Sequence, residues 1–116
     1  MLHRFKNGFG YAFEGLRLAW VKGINFKIQT LCAVLALGAG WLLRFSLMEF
    51  MMVIFSISLV LAAETFNTAL EELCDKFQPT HDPHIARIKD LSSAAVLITA
   101  IGSFVIGVIL FTTHLL

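Results

Sequence analysis

The sequence is short of charge, cysteine and proline. The first two shortages argue against particular classes of protein, and the few prolines mark one segment. Charged residues make up 15% of the 116 residues and the formal net charge is +1, so the chain offers no broad basic surface for nucleic acid. Its two cysteines lack CxxC spacing and lie in or at the end of apolar runs, which favours membrane or buried thiols over a disulfide or zinc site. Both prolines fall in one polar segment, residues 76–90, which is predicted to be the main loop.

Apolar side chains are abundant instead. Hydrophobic residues make up 58% of the chain, and the mean hydropathy of +0.80 is far above that of soluble domains. A transmembrane helix needs about 20 mostly apolar residues. Three segments meet or approach this length, and the last of them, Leu91 to Leu116, contains no Asp, Glu, Lys or Arg. We therefore predict an all-α integral membrane protein with transmembrane helices at residues 26–44, 45–75 and 90–116.

Residues 1–25 show a different pattern. Apolar residues recur there at three- and four-residue steps, and polar or charged residues fill the other face. This pattern predicts an amphipathic helix that lies on the membrane surface. A soluble core helix is the alternative, but the rest of the chain offers no soluble core for it to pack against. The segment mixes charges with aromatics, so we expect no cleavable signal peptide, and we predict one domain over residues 1–116.

The basic residues predict the orientation of the spans. Arg44, at the end of the first span, is the only basic residue at the connection between the first and second spans, and the other eight of the nine lie at or before the start of the first span or after the second. Those eight are Arg4, Lys6, Arg17, Lys22, Lys27, Lys76, Arg87 and Lys89. Because cytoplasmic loops carry the excess of Lys and Arg, we expect the N-terminus and the 76–90 loop in the cytoplasm.

The segment ETFNTALEELCD places carboxylates at the end of an apolar span. Glu64, Asn67, Glu71 and Asp75 follow one another at helical spacing, so they line one helical face. Glu64 lies roughly 16 Å deeper than Asp75 by helical rise. An ionisable group at that depth is a functional candidate by default. The alternative is that these residues form the solvated end of the helix, and we prefer it only for Glu72.

A second polar group stands just before the third span. Lys89 and Asp90 are expected at the same interface as Glu71, and a lysine there can bind phosphate. Carboxylates for Mg²⁺, cations for phosphate and a carboxylate near the lipid are the parts needed to transfer a phosphoryl group to a lipid hydroxyl. The glycines of GFGYAFEG lack the Lys and Ser/Thr of a P-loop, so helix packing explains them better. His81 and His84 form only an H-x-x-H pair, which favours solvated histidines over a metal site.

These motifs resemble a known family, the prokaryotic diacylglycerol kinases and the related undecaprenol kinases. The family pattern E-x-x-N-[ST]-A-[IL]-E-x-x-x-D is met from Glu64 to Asp75, and K-D-x-x-[SA]-A-A-V is met from Lys89 to Val96. An N-terminal RF…GYAF.GL…A block also matches, so the resemblance covers nearly the whole chain. The segment NFKIQ resembles the start of the first span in the undecaprenol-type members.

The resemblance implies a small homotrimeric enzyme of the bacterial cytoplasmic (inner) membrane. Such an enzyme uses ATP with Mg²⁺ to phosphorylate the hydroxyl of undecaprenol or diacylglycerol at the cytoplasmic interface. By resemblance, Glu64 accepts the proton of the lipid hydroxyl, Glu71 binds the metal ion, and Glu64 and Ser93 contact the lipid. The residues expected around the nucleotide are Arg4, Tyr11, Asn67, Glu71, Asp75, Thr80, His81, Asp82, Lys89 and Asp90. Thr80, His81 and Asp82 match the family in place but not in residue type.

One departure from the family pattern concerns the metal. Gly23 stands where the family has a second metal-binding Glu. Three explanations stay open: another carboxylate such as that of Glu14 or Asp75 replaces it, the ion is held more loosely, or activity is reduced. Two other functions therefore stay open: a noncatalytic or weakly active relative of the kinases, and a small transport or channel subunit. A transporter would need ionisable groups spread through the membrane depth, whereas here they gather at one interface.

Oligomerisation has separate support from small residues spaced four apart. Ala36 with Gly40, and Ser103 with Gly107, form small-xxx-small pairs that let transmembrane helices approach closely. The trimer itself is implied only by the resemblance.

Overall fold

The computed structural model describes residues 2–77, 80 and 82–116, with the backbone alone for residues 2–6. Four helices account for nearly all of this part of the chain, which contains no strand. They are α1 (Leu2–Lys22), α2 (Ile24–Leu42), α3 (Leu47–Phe77) and α4 (Pro83–Leu115). By length and composition, α2, α3 and α4 are able to cross a membrane. The predicted all-α membrane architecture is therefore confirmed.

The fourth helix begins well before residue 90, where the third span was expected to start. Asp82 caps it, because its Oδ1 accepts hydrogen bonds from the backbone N–H groups of His84 at 2.8 Å and Ile85 at 3.2 Å. Pro83 occupies the first helical turn, where its missing N–H costs nothing. Much of the segment predicted as a loop is therefore helical, and Lys89 is held on a rigid element.

The connection between α2 and α3 is a tight turn. Arg44 has a φ of 61°, in the left-handed region that side chains other than glycine adopt rarely. The backbone N–H of Ser46 then donates to Glu49 Oε1 at 2.8 Å, and the N–H of Glu49 donates to Ser46 Oγ at 3.2 Å. This reciprocal capping box explains why α3 begins at Leu47.

The third helix is the centre of the packing, since it contacts α1, α2 and α4. Its buried residues recur at helical spacing along one face: Val53, Ser56, Val60, Glu64 and Cys74. Ser103 Oγ on α4 donates to the Ser56 carbonyl oxygen at 3.4 Å, which joins the two helices at mid-length. Many apolar side chains on the other faces are exposed, including Phe55, Ile98 and Phe104. Such faces suit contact with lipid or with another subunit.

A single residue, Gly23, separates α1 from α2. Its φ of −105° and ψ of 104° are extended values that any residue adopts. A Cβ at this position, however, would lie 2.9 Å from the Ala19 carbonyl oxygen and 3.3 Å from Phe26 Cβ. Close approach of α1 to α2, and not an unusual φ, is therefore what favours glycine here. Beside the junction, Lys27 Nζ lies 5.9 Å from the centre of the Trp20 ring.

Candidate active site

Glu64 is the most unusual ionisable residue of the described chain. Its side chain lies on the packed face of α3 and only 5% of the residue is exposed. No described residue donates a hydrogen bond to its carboxylate, and the charge that acts on it is the like charge of Glu71. A buried carboxylate without a partner is costly, so a group from outside the chain is the natural candidate to satisfy it.

Asn67 and Glu71 continue the same face toward the polar end of α3. Asn67 Nδ2 donates to Glu71 Oε1 at 3.2 Å. This contact leaves Asn67 Oδ1 buried, with no hydrogen-bond partner within the part of the chain that the structure describes. The hydroxyls of Thr65 and Thr68 donate to backbone carbonyls of α3 itself, so they satisfy neither Glu64 nor Asn67. An amide oxygen and two carboxylates therefore remain available to a donor or a cation.

The α4 side of the site contributes Lys89. Its Nζ lies 2.5 Å from Asp75 Oδ1, and it also interacts electrostatically with Glu71. The helical start at Pro83 produces this arrangement, because it fixes Lys89 two turns into α4 beside the end of α3. The structure thus gathers Glu64, Asn67, Glu71 and the Asp75–Lys89 pair at one end of the α3–α4 pair.

Glu72, which the sequence led us to expect in solvent, pairs with the α1–α2 junction. Lys22 Nζ lies 2.8 Å from Glu72 Oε1, and both side chains are substantially exposed. Helical spacing within α3 carries no information about this contact with α1.

The two carboxylates considered as replacements at Gly23 are both ion-paired. Glu14 accepts hydrogen bonds from Arg17 Nε at 3.0 and 3.1 Å, and these bonds hold the pKa of Glu14 below its usual value. Asp75 is engaged by Lys89. Glu14 is thus held on the surface of α1, whereas Asp75 is already within the site.

Four of the other expected site residues are exposed: Tyr11, Thr80, Asp90 and Ser93. Asp82 has a structural role as the cap of α4. Arg4 lies in α1, but its side chain is outside the described part of the structure, as is the whole of His81.

An apolar groove of about 570 Å³ lies beside Glu64, between α2, α3 and α4. We call it the α3 groove. Its lining includes Val60 and Leu61, one turn of α3 from Glu64, and Ala33 and Ser103 farther along. The lining ends at Phe111 and Val53, toward the other end of the molecule. A hydrocarbon chain lying in this groove would have its near end about one helical turn from Glu64.

For a Mg²⁺ ion shared with phosphate, the described chain supplies two candidate oxygen ligands. The described residues contain no group of three or more His, Cys, Asp or Glu side chains placed to hold a metal ion. In phosphoryl-transfer sites, however, Mg²⁺ takes only one or two carboxylates and completes its shell with phosphate oxygens and water. Glu71 and the unpartnered Asn67 Oδ1 supply oxygens of the type that the ion prefers.

These features define a small multi-pass membrane protein whose polar site lies at one end of its spans. The sequence profile of the prokaryotic diacylglycerol kinases matches residues 10–111. The diacylglycerol kinase of Escherichia coli (strain K12) is 31% identical over 105 residues, covering 90% of this chain and 86% of the relative. The undecaprenol kinase of Bacillus subtilis (strain 168) is 30% identical over 114 residues, covering 98% and 93%. The diacylglycerol kinase of Synechocystis is 32% identical over 100 residues, covering 85% of this chain and 57% of that protein.

The chain therefore belongs to the prokaryotic diacylglycerol kinase family. This finding confirms the family resemblance and the lipid-kinase class of enzyme that the sequence predicted.

Proposed function

We propose that this protein transfers a phosphoryl group from ATP to the hydroxyl of a membrane lipid, either undecaprenol or diacylglycerol, at the cytoplasmic interface. The observation that carries the proposal is the position of Glu64. Glu64 is a buried residue whose carboxylate accepts no hydrogen bond from a described residue, and it lies one turn of α3 beyond Val60 and Leu61, which line the apolar α3 groove. A lipid alcohol has the matching chemistry, because it joins a hydrocarbon chain to one proton donor.

In the proposed reaction, Glu64 accepts the proton of the lipid hydroxyl as the hydroxyl oxygen attacks the γ-phosphorus of ATP. The bond from that phosphorus to the bridging oxygen of ADP breaks, and ADP leaves. Glu64 suits this role because the residue is mostly shielded from solvent and no side chain in the described part of the chain holds its carboxylate. A positioned general base typically contributes about 10²–10⁴-fold to a rate.

The other residues of the site bind and orient the nucleotide in this proposal. Lys89 is the cation for the phosphates, and it exchanges Asp75 for a phosphate oxygen when ATP binds. Glu71 and Asn67 Oδ1 would hold Mg²⁺, which neutralises charge on the phosphates when it is bound. A cation near Glu71 also relieves the repulsion between Glu71 and Glu64.

For the lipid, we favour undecaprenol over diacylglycerol. The resemblance of NFKIQ to undecaprenol-type members supports this choice. The lining of the α3 groove supports it too, because Val60, Leu61 and Ala33 offer no side-chain partner for ester carbonyls, and Gln29 is among its few polar residues. A diacylglycerol places two ester groups near its hydroxyl, and these require polar partners or water.

The topology and assembly that we propose follow from charge and exposure. Eight of nine basic residues predict a cytoplasmic N-terminus, which places the polar site on the ATP side of a bacterial inner membrane. The exposed apolar faces of the spans leave room for subunit contacts, and a homotrimer is the assembly that the family resemblance implies. The chain forms a single kinase domain over residues 1–116.

Phosphoryl transfer in lipid nanodiscs tests the proposal. Purified protein would be given labelled ATP and Mg²⁺ with undecaprenol, diacylglycerol or no added lipid, and ATP binding would be measured on the same samples. We expect labelled lipid in at least one alcohol sample, with undecaprenol the better substrate. ATP binding without any labelled lipid would instead support the noncatalytic relative. Ion flux in liposomes without kinase activity would support the transport or channel subunit.

A further inference from the structure

Aromatic rings stand at the end of the α3 groove away from Glu64. Phe111 lines the groove, and its ring centre lies 5.1 Å from that of Phe45. The Phe45 ring in turn lies 4.7 Å from the His114 ring and 5.8 Å from the Phe50 ring. We call Phe45, Phe111 and His114 the aromatic stop. Phe45 is only 7% exposed, so it fills the space behind Phe111.

The aromatic stop is anchored by polar contacts from separate elements. His114 Nε2 on α4 lies 2.7 Å from Glu49 Oε2 on α3, and both side chains are mostly buried. The other oxygen of Glu49 accepts from the Ser46 backbone in the capping box of α3. Beneath the Phe45 ring, a Cβ at Gly40 would lie 2.8 Å from Phe45 Cδ2, so α2 backs the ring directly. Contacts with all three spans therefore hold the stop in place.

The position of the aromatic stop gives the groove a defined depth. Glu64 and Val53 are eleven residues apart on α3, which corresponds to roughly 16 Å of helix. This length is about half of the ~30 Å hydrocarbon core of a bilayer. The distance from Glu64 to the far end of the groove is thus about the depth of one membrane leaflet. A longer hydrocarbon chain meets Phe111 and has to leave sideways into the bilayer.

We propose that Phe111, backed by Phe45 and the Glu49–His114 pair, limits how far the substrate's hydrocarbon chain enters the α3 groove, and so determines chain-length preference. This inference rests on the proposed lipid kinase function, with the reacting hydroxyl at Glu64. Chain segments up to the depth of Phe111 pack against the groove, and segments beyond it contribute no specific contact.

Two variants on one helix test this idea from opposite directions. Phe111→Ala removes the ring that closes the groove, and Gly107→Leu adds a side chain inside it. Gly107 lines the groove, and a Cβ there meets no neighbour within 4 Å, so the helix itself tolerates the change. Gly102→Leu is the matched control, because Gly102 lies on the same helix with the same free space but is not among the groove residues.

The measurement is kcat/KM for a series of diacylglycerols from short to long acyl chains and of prenols from farnesol to undecaprenol. We expect Phe111→Ala to raise the ratio of kcat/KM for long chains to kcat/KM for short chains, and Gly107→Leu to lower it. Each change should be roughly threefold to tenfold, which is at or below the smallest discrimination that one methylene group typically gives in an apolar pocket. Gly102→Leu should match the unmodified protein.

A photoactivatable lipid supplies a readout that needs no turnover. A diazirine at the far end of a leaflet-length chain should label residues near Phe111, and Gly107→Leu should abolish this label while Gly102→Leu keeps it. Labelling at Phe111 without phosphoryl transfer to any alcohol would count against the proposed function and would support the groove. Unchanged length profiles in both groove variants would overturn the inference. The inference would also be overturned if Gly107→Leu lost its oligomers and its rate fell equally at every chain length, because the groove would then be a subunit contact.

Discussion

The two ends of the α3–α4 pair use a carboxylate in opposite ways. At one end, Glu49 has both oxygens engaged, one by the Ser46 backbone and one by His114. At the other end, Glu64 is more deeply buried, yet no described residue donates a hydrogen bond to it. A fully engaged carboxylate joins helices, whereas a buried carboxylate without partners is available to a ligand. We therefore expect stability to depend on the Glu49 end and chemistry on the Glu64 end.

Replacing each carboxylate by its amide should give the largest difference between the two ends. Glu64→Gln keeps the shape of the side chain but accepts no proton, so turnover should fall by about 10²–10⁴-fold while ATP binding is retained. Glu49→Gln is the matched control. Its rate at saturating lipid should stay within about threefold of that of the unmodified protein, because this change reaches the site only through packing. Lipid phosphorylation and ATP binding are measured for both. A nearly normal rate for Glu64→Gln would remove Glu64 from the mechanism.

The lysines at the polar end make a second contrast. Lys89→Met removes the cation proposed for phosphate, so the KM for ATP should rise about tenfold, the scale of one charged hydrogen bond. Lys22→Met breaks only the exposed pair with Glu72, and pairs of that kind contribute little. Its KM should therefore change by less than about twofold. Steady-state kinetics with varied ATP compare the two variants, and similar KM values would argue against phosphate binding by Lys89.

The Glu49 end should respond in stability rather than in rate. His114→Phe keeps a ring against Phe45 but removes the partner of Glu49 Oε2, which should lower the free energy of unfolding by about 1–2 kcal/mol. Denaturant unfolding in mixed micelles measures the loss. His114→Phe should lower the free energy of unfolding less in the Glu49→Gln variant than in the unmodified protein, because the Glu49–His114 interaction is already broken there. An equal decrease in the free energy of unfolding in both proteins would show that the Glu49–His114 pair contributes nothing to stability.

The smallest expected effect concerns Gly23, between the surface helix and the first span. A Cβ there approaches the Ala19 carbonyl oxygen, so Gly23→Glu and Gly23→Gln should lower the Tm by similar amounts. If the position faces the ion, only Gly23→Glu should also lower the Mg²⁺ concentration at half-maximal rate, by a few fold. A Mg²⁺ titration of the three proteins separates the two effects. Identical Mg²⁺ dependence in the Glu and Gln variants would reject a missing ligand at Gly23.

Patterns within a single helix were predictable from the sequence. The apolar runs identified three spans because length and composition alone decide whether a helix suits a bilayer. Helical periodicity placed Glu64, Asn67 and Glu71 on one face for the same local reason. The start of α4 was also a local signal, since Asp82 before Pro83 is a helix cap, but the charges that follow it were interpreted as a loop.

Contacts between helices were decided only by the tertiary structure. Glu49 and His114 are 65 residues apart, and Lys22 and Glu72 lie on different helices, so no spacing rule relates them. Periodicity names the residues on a face but not what that face packs against. Packing of the other helices on α3 buried Glu64 without giving its carboxylate a hydrogen-bond donor from the described residues, and packing of α2 and α4 on α3 formed the groove one turn away. The sequence by itself therefore determined the helices and the candidate residues, because those depend on local chemistry. Which carboxylate is engaged and which is available depended on side chains distant in the chain, and only the fold brings those together.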